Sequence, residues 1–258
     1  IKTAETIYSA KKKCPTLKIY PPEFDWYYEQ SNKMYAYLQQ YTPLIERFSI
    51  DECFMDFTGT NLLYDNYEKL AYKIKEDIKN ELGFTVNVGI GNNKLCAKMA
   101  SDFSKPNKIH TLYKHEIKQK MYPLPIEDLF GVGKQTAQKL RYLNINKIED
   151  LAKKDEYSLR KLFKNQAKHL IEIANGIDNS KVDSSIYIPK GISHELTLKE
   201  DATSKQELYQ HLRTLSEMVS KRIRKENKYA KVICVILKDN NFKRYSHQKK
   251  LKNQVNSY

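Results

Sequence analysis

A chain of 258 residues can hold two or three domains and bury a substantial core. Its 45 Lys and Arg against 31 Asp and Glu leave a formal charge of +14 and an isoelectric point near 9.3, an excess that favours a polyanionic partner, nucleic acid before a membrane surface. No apolar run approaches transmembrane length and no signal peptide opens the sequence, and a cytoplasmic protein away from membranes is expected.

Residues 3–13 place Ala, Ile and Lys at helical spacing until Cys14-Pro15 ends the pattern, and Leu17-Lys-Ile-Tyr20 reads as a short strand running into Pro21-Pro22. Residues 25–41 are helical again, with an aromatic stripe at 26, 27, 35 and 37 that core packing explains. Two strands follow at about 44–50 and 53–57, closed by Thr58-Gly59, then an amphipathic helix over 68–82 with Leu70, Ile74, Ile78 and Leu82 on one face. The alternating run Phe84–Ile90 predicts a strand, Asn92-Asn93 a helix cap, and 94–103 a helix that carries Lys94 and Lys98 one turn apart. This order implies an α+β fold, a sheet with helices on one face.

From about 114 the strand pattern stops, and 114–178 reads as short helices joined by tight turns. Within it, Gly131-Val-Gly133 immediately precedes a helix, with Lys134 beside it. Such a turn leaves backbone N–H groups uncovered and aims a helix N-terminus outward, which suits a phosphate as well as an ordinary helix–helix turn. Polar residues 177–185 read as a linker. A last α/β unit has a strand at 186–198, a helix at 204–226, the apolar strand Lys231–Leu237, a turn at Asp239-Asn240-Asn241 and a strand at 242–247 rich in Lys and Arg. Cys14, Cys53, Cys96 and Cys234 show no C-x-x-C spacing, and the last three sit in apolar contexts, as reduced thiols of a cytoplasmic protein do.

One pair of residues does not fit a plain reading. Asp51-Glu52 lies between two strands and is flanked by Phe48, Ile50, Cys53, Phe54, Met55 and Phe57. Six adjacent acid pairs occur in the chain, so adjacency alone signals little; the apolar setting is what separates this one. An unpaired buried carboxylate neutralises or finds a cation, which leaves an acidic hairpin turn or a metal site.

Taken together, these motifs resemble those of the Y-family translesion DNA polymerases. Ser49-Ile-Asp-Glu-Cys-Phe-Met-Asp56 is similar to that family's second catalytic motif, and Val88 through Asn107, with its Lys-Pro-Asn end, to its third. Leu124–Leu151 resembles the helix-hairpin-helix of the thumb, and Ile192-Ser-His-Glu-Leu-Thr197 with Asn241-Phe-Lys-Arg-Tyr245 resembles the little finger. The resemblance implies a right-hand polymerase with partial fingers at 1–22, a palm at 23–113, a helical thumb at 114–178, a linker at 179–185 and an incomplete little finger at 186–258. It implies that Asp51 and Glu52 are catalytic carboxylates holding Mg²⁺, two ions in the parent enzyme, and that Lys105 reaches the triphosphate of the incoming nucleotide. Gly131, Gly133, Lys134, Lys243 and Arg244 are implied DNA contacts.

The partners implied are primer–template DNA and deoxynucleoside triphosphates, with the protein working as a monomer away from membranes. A sliding clamp is a further partner, through the absent C-terminus. The family's first catalytic motif, with a further metal-binding Asp, is expected before Ile1, so an internal fragment is expected, inactive by itself but able to bind DNA without sequence preference. A non-catalytic DNA-binding protein with a polymerase-like palm is the alternative, and it leaves Asp51, Glu52 and Lys105 without a role. A template-free palm nucleotidyl transferase would need neither the thumb turn nor the basic last unit.

Overall fold

The computed structural model describes residues 1–185 and 189–257. The chain divides into two compact units, Ile1–Ser185 and Ile186–Tyr258. The first unit opens with α1 (Ile7–Lys13), whose N-cap Thr6 accepts from the Ser9 N–H, and α2 (Phe24–Leu38). The strand expected at 17–20 is absent: no neighbouring strand among the described residues offers it a ladder, and Pro21-Pro22 removes the next two donors.

Strands β1 (Ile45–Arg47) and β2 (Cys53–Met55) pair antiparallel, Ile45 facing Met55 and Arg47 facing Cys53. Helix α3 (Tyr67–Leu82) is capped by the Asn66 side chain and ended by Gly83 at φ 76°, the left-handed conformation that glycine adopts most readily. Its buried Leu70, Ile74 and Ile78 pack with Met34 and Leu38 of α2 and Ile45 of β1, the core of this region.

β3 (Val88–Gly91) is shorter than the expected 84–90 strand, because Phe84 and Val86 turn into that same core. Its partner is β4 (Ile109–Leu112), parallel to it, a strand that the sequence pattern does not announce. The expected single sheet is thus two separate two-stranded ribbons among the described residues. Ribbons this short have little stability of their own and must be held by helices. For β3 the helix is α4 (Lys94–Asp102), capped by Asn93. It lies directly on the strand backbone: a Cβ on Gly89 would stand 1.9 Å from the Ala97 carbonyl oxygen, and one on Gly91 2.6 Å from the Cys96 Cβ.

Three short helical turns (Lys114–Glu116, Ile117–Met121, Ile126–Asp128) lead into α5 (Lys134–Tyr142), α6 (Ile148–Ala152), α7 (Glu156–Phe163) and α8 (Gln166–Ala174). Their apolar faces join Leu95, Cys96 and Met99 of α4 in one core, with Leu140, Ile145, Ile148 and Leu159 fully enclosed.

The second unit contains α9 (Lys205–Lys225), capped by Ser204, and the antiparallel pair β5 (Ala230–Lys238) and β6 (Arg244–Val255). The last strand runs far beyond the expected 242–247. The strand expected at 186–198 is absent over 189–198, while Ile186, Tyr187 and Ile188 lie outside the described residues. Among the described residues of this unit only Ser220 and Ile223 are buried, since one helix and one hairpin cannot enclose an interior. No helix is long and apolar enough to cross a membrane among the described residues.

Candidate functional site

The tip of β1–β2 folds over its own backbone. The Phe48 and Ser49 N–H groups both donate to the Glu52 carbonyl, at 3.0 and 3.1 Å. Successive strand residues would point to opposite faces; within this turn Asp51 and Glu52 are freed from that alternation. Asp51 is exposed, and its Oδ1 accepts the Ser49 hydroxyl at 2.6 Å. Glu52 reaches α4, where Lys98 Nζ donates to its Oε1 at 2.5 Å.

Helix α4 is attached to the hairpin along its length by lysines one turn apart. Lys94 Nζ meets both oxygens of Glu46 at 2.7 and 2.6 Å and lies 5.1 Å from the centre of the Phe54 ring. Lys98 pairs with Glu52 and with Asp102 at 3.0 Å, and Asp102 pairs in turn with Lys105 at 2.7 Å. Glu52, Lys98, Asp102 and Lys105 therefore form a row of alternating charge. Burial opposes the Lys98 charge, but hydrogen bonds to Glu52 and Asp102 outweigh it and raise the pKa of the ammonium. For Asp102 burial acts upward, and the bonds from Lys105 and Lys98 prevail and lower its pKa.

The polar run 177–185 has no regular secondary structure, and it contacts this same assembly. Asp178 Oδ2 accepts the Leu95 N–H at 3.1 Å, at the open end of α4. Lys94 Nζ donates to the Lys181 carbonyl at 3.4 Å, and the Asp183 N–H to Glu46 Oε2 at 2.8 Å.

The turn before α5 lies against the acidic hairpin. Gly131 has φ 91°, a conformation costly for any residue with a Cβ, and the Val132 N–H closes the turn on the Leu129 carbonyl at 2.9 Å. Gly131 and Gly133 are exposed, and no chain acceptor meets either N–H among the described residues. The Phe130 N–H donates to Met99 Sδ at 3.2 Å. The Phe130 ring stands edge-on to Phe48 at 5.9 Å, and Phe48 to Phe54 at 5.4 Å. The acidic turn and the glycine turn are thereby joined through one aromatic cluster. Lys134 is exposed at the first position of α5.

In the second unit Lys243, the last residue of the turn, and Arg244, the first of β6, are exposed. Asp239 Oδ1 accepts the Asn241 and Lys243 N–H groups at 3.0 and 2.9 Å and so shapes the turn. Lys243 Nζ lies 5.1 Å from the Tyr245 ring centre, and exposed Lys249, Lys250 and Lys252 continue the charge along the strand.

Among the described residues no three His, Cys, Asp or Glu side chains gather as a metal cage. The acidic turn offers two carboxylates, hard oxygen donors on an open surface. That set fits Mg²⁺, which is commonly held by one or two carboxylates and completed by substrate phosphates and water. A shallow groove of about 460 Å³ lined by Gln135, Thr136, Lys139 and the α7–α8 turn contains none of these acids. A flat, open acidic turn suits a polymer end better than an enclosed small molecule. Sequence reasoning singled out Asp51, Glu52, Lys105, Gly131, Gly133, Lys134, Lys243 and Arg244 and noted Lys94 and Lys98 one turn apart, but it gave Glu46, Lys98 and Asp102 no role. The available signal was the spacing of Lys94, Lys98 and Asp102, four residues apart on one helix face.

Residues 1–102 match the model of the impB/mucB/samB family, and residues 189–258 that of the impB/mucB/samB family C-terminal domain. DNA polymerase IV of Clostridium acetobutylicum is 50% identical over 257 residues, covering 100% of this chain and 65% of that protein. DNA polymerase IV of Oceanobacillus iheyensis is 35% identical over 259 residues, covering 100% of this chain and 62% of its own. The chain thus spans a little under two thirds of the length of these relatives. A solved Y-family DNA polymerase chimera of Dbh and Dpo4 superposes with a TM-score of 0.83 at 26% identity, over 99% of this chain and 73% of that one. DinB from Sulfolobus solfataricus gives 0.67 at 28% identity, over 98% and 74%. Both family regions occur in order, the curated relatives align over the whole of this chain, and the solved neighbours share its right-hand polymerase fold; the chain belongs to the impB/mucB/samB family, the Y-family DNA polymerases.

Proposed function

We propose that this chain supplies the palm, thumb and parts of the fingers and little finger of a DNA polymerase that copies damaged template by metal-assisted nucleotidyl transfer, acting on primer–template DNA and deoxynucleoside triphosphates. The observation that carries this reading is the union of the acidic turn with the glycine turn through Phe48 and Phe130. A nucleotidyl transferase that follows a duplex needs its metal ligands and its backbone grip at a fixed separation, since small misplacement of reacting groups is costly. The name DNA polymerase IV borne by the curated relatives supports the same reading.

In this proposal Asp51 and Glu52 hold magnesium, which when bound lowers the barrier to ionising the primer 3′-hydroxyl and neutralises charge on the leaving pyrophosphate. Ser49 orients Asp51, and Lys98 orients Glu52. Lys105, whose side chain is 60% exposed, is free enough to swing from Asp102 to a triphosphate. The uncovered N–H groups of Gly131 and Gly133, with Lys134, grip one DNA strand through its phosphates. Lys243 and Arg244 add backbone contacts from the second unit. Contacts of this type position a protein without reading bases, as copying a damaged template requires. The cytoplasm is the proposed compartment, with the four cysteines as free thiols.

Primer extension by the full-length protein tests this. Asp51→Ala and Glu52→Ala should each lower the rate by about 10²–10³-fold or more, the scale for losing transition-state charge stabilisation, while duplex affinity changes little. Normal extension by either variant would overturn the assignment.

A further inference from the structure

Lys98 has two carboxylates and one ammonium to share between them. Its side chain is 13% exposed, whereas those of Glu52 and Asp102 are 36% and 44% exposed. The cation is covered and both of its anions face solvent. A divalent ion arriving from solvent therefore meets Glu52 on its open side, while Lys98 holds the carboxylate from behind. Glu52 Oε1 cannot serve both cations fully, and the Lys98 ammonium already has a second acceptor one helical turn along, at 3.0 Å. Asp102 also pairs with Lys105 at 2.7 Å, and it keeps Lys98 as a partner when Lys105 swings away.

We propose that Lys98 is a placeholder cation for Glu52: it neutralises and aims the carboxylate before metal binds, then withdraws onto Asp102 when a divalent ion takes that oxygen. Lys98 is thus a positioning residue, acting through Glu52. The inference rests on the reading of Asp51 and Glu52 as metal ligands, and it makes that site switchable without leaving Glu52 uncompensated at any stage.

The test is Mn²⁺ binding to the chain, measured by calorimetry or by the paramagnetic resonance of free Mn²⁺, with circular dichroism to verify folding. Lys98→Met removes the competitor and should tighten Mn²⁺ binding about fivefold, the scale of a partly exposed ion pair; Lys98→Gln replaces it should the Met variant not fold. Asp102→Asn removes the retreat, fixes Lys98 on Glu52 and should weaken binding by a similar factor. The decisive measurement is the double variant. If Asp102 acts through Lys98, Asp102→Asn has no effect once Lys98 is replaced, a non-additivity that a general change of local charge does not produce. Equal effects of Asp102→Asn in both backgrounds, or no tightening with Lys98 removed, overturn the placeholder role. Glu52→Gln separates the two levels: if it leaves Mn²⁺ binding intact, the metal assignment itself fails. If it weakens binding while the Lys98 and Asp102 variants do nothing, only the placeholder role fails.

Discussion

The hairpin β1–β2 has strands of three residues each and still holds an acidic tip in one geometry, whereas β5–β6, with strands of nine and twelve residues, has little packing on either face. The short hairpin is secured from outside. Arg47 donates to Asn32 at 2.7 Å and lies 4.1 Å from the Tyr35 ring centre, Lys94 holds Glu46, Lys98 holds Glu52, and Phe130 meets Phe48. The long hairpin is secured mainly by its own ladder and by Asp239 at its turn, with Val232, Ile233, Ile236 and Leu237 exposed. Strand length sets how many ladder bonds form; tertiary bracing sets whether a tip keeps its shape. Local opening is easiest where buried contacts are few, which suits the DNA-contacting role proposed for the basic hairpin and not the metal-holding role proposed for the acidic turn.

The largest break in this contrast should come from Gly89→Ala. The new Cβ would collide with the Ala97 carbonyl, a backbone atom that cannot rotate away, and would push α4 off β3. About 3 kcal/mol of destabilisation is expected, read as a lower urea midpoint for the first unit with the melting of α9 and β5–β6 unchanged. A loss below half of that would mean that α4 shifts freely and does not brace the hairpin.

Lys94→Met should come next. Removing one partner of a fully buried pair costs about 3–5 kcal/mol, but Lys94 and Glu46 retain 17% and 18% exposure, so about 2 kcal/mol is expected. Amide exchange should quicken at 45–55 and also at 181–183, since Glu46 and Lys94 both hold that segment. Faster exchange in the hairpin alone would show that the 177–185 run is held independently.

Asp239→Ala removes two backbone-to-carboxylate bonds at an exposed turn, for a loss of about 1 kcal/mol, confined to residues 239–243 in exchange measurements. A loss that spreads along the whole of β5–β6 would show that the turn carries more of this hairpin's stability than its ladder does. The smallest effect is expected from Lys243→Ala. It should weaken duplex binding evenly across sequences and lower the slope of log affinity against log salt by about one. An unchanged slope would remove Lys243 from the DNA-contacting set.

Much of the candidate site was legible before folding was considered. Asp51 and Glu52 stood out because charge among Phe, Ile and Met needs a reason, Gly131-Val-Gly133 because paired glycines before a helix uncover backbone donors, and Asn93 because a short polar side chain ahead of an apolar helix serves as a cap. These signals are local: they depend on neighbours within a turn or two, where propensity and hydrogen bonding act directly. The tertiary structure alone decided that β3 would pair with Ile109–Leu112, that Leu17–Tyr20 would find no strand, that Lys98 would bridge Glu52 and Asp102, and that Asp178 and Asp183 would fasten a polar run to α4 and β1. Lys98 and Glu52 are 46 positions apart, and Asp183 and Glu46 are 137 apart. An ion pair or a ladder over such separations forms only after intervening chain has been ordered by its core, so its partners are fixed by packing and cannot be read from the residues beside it.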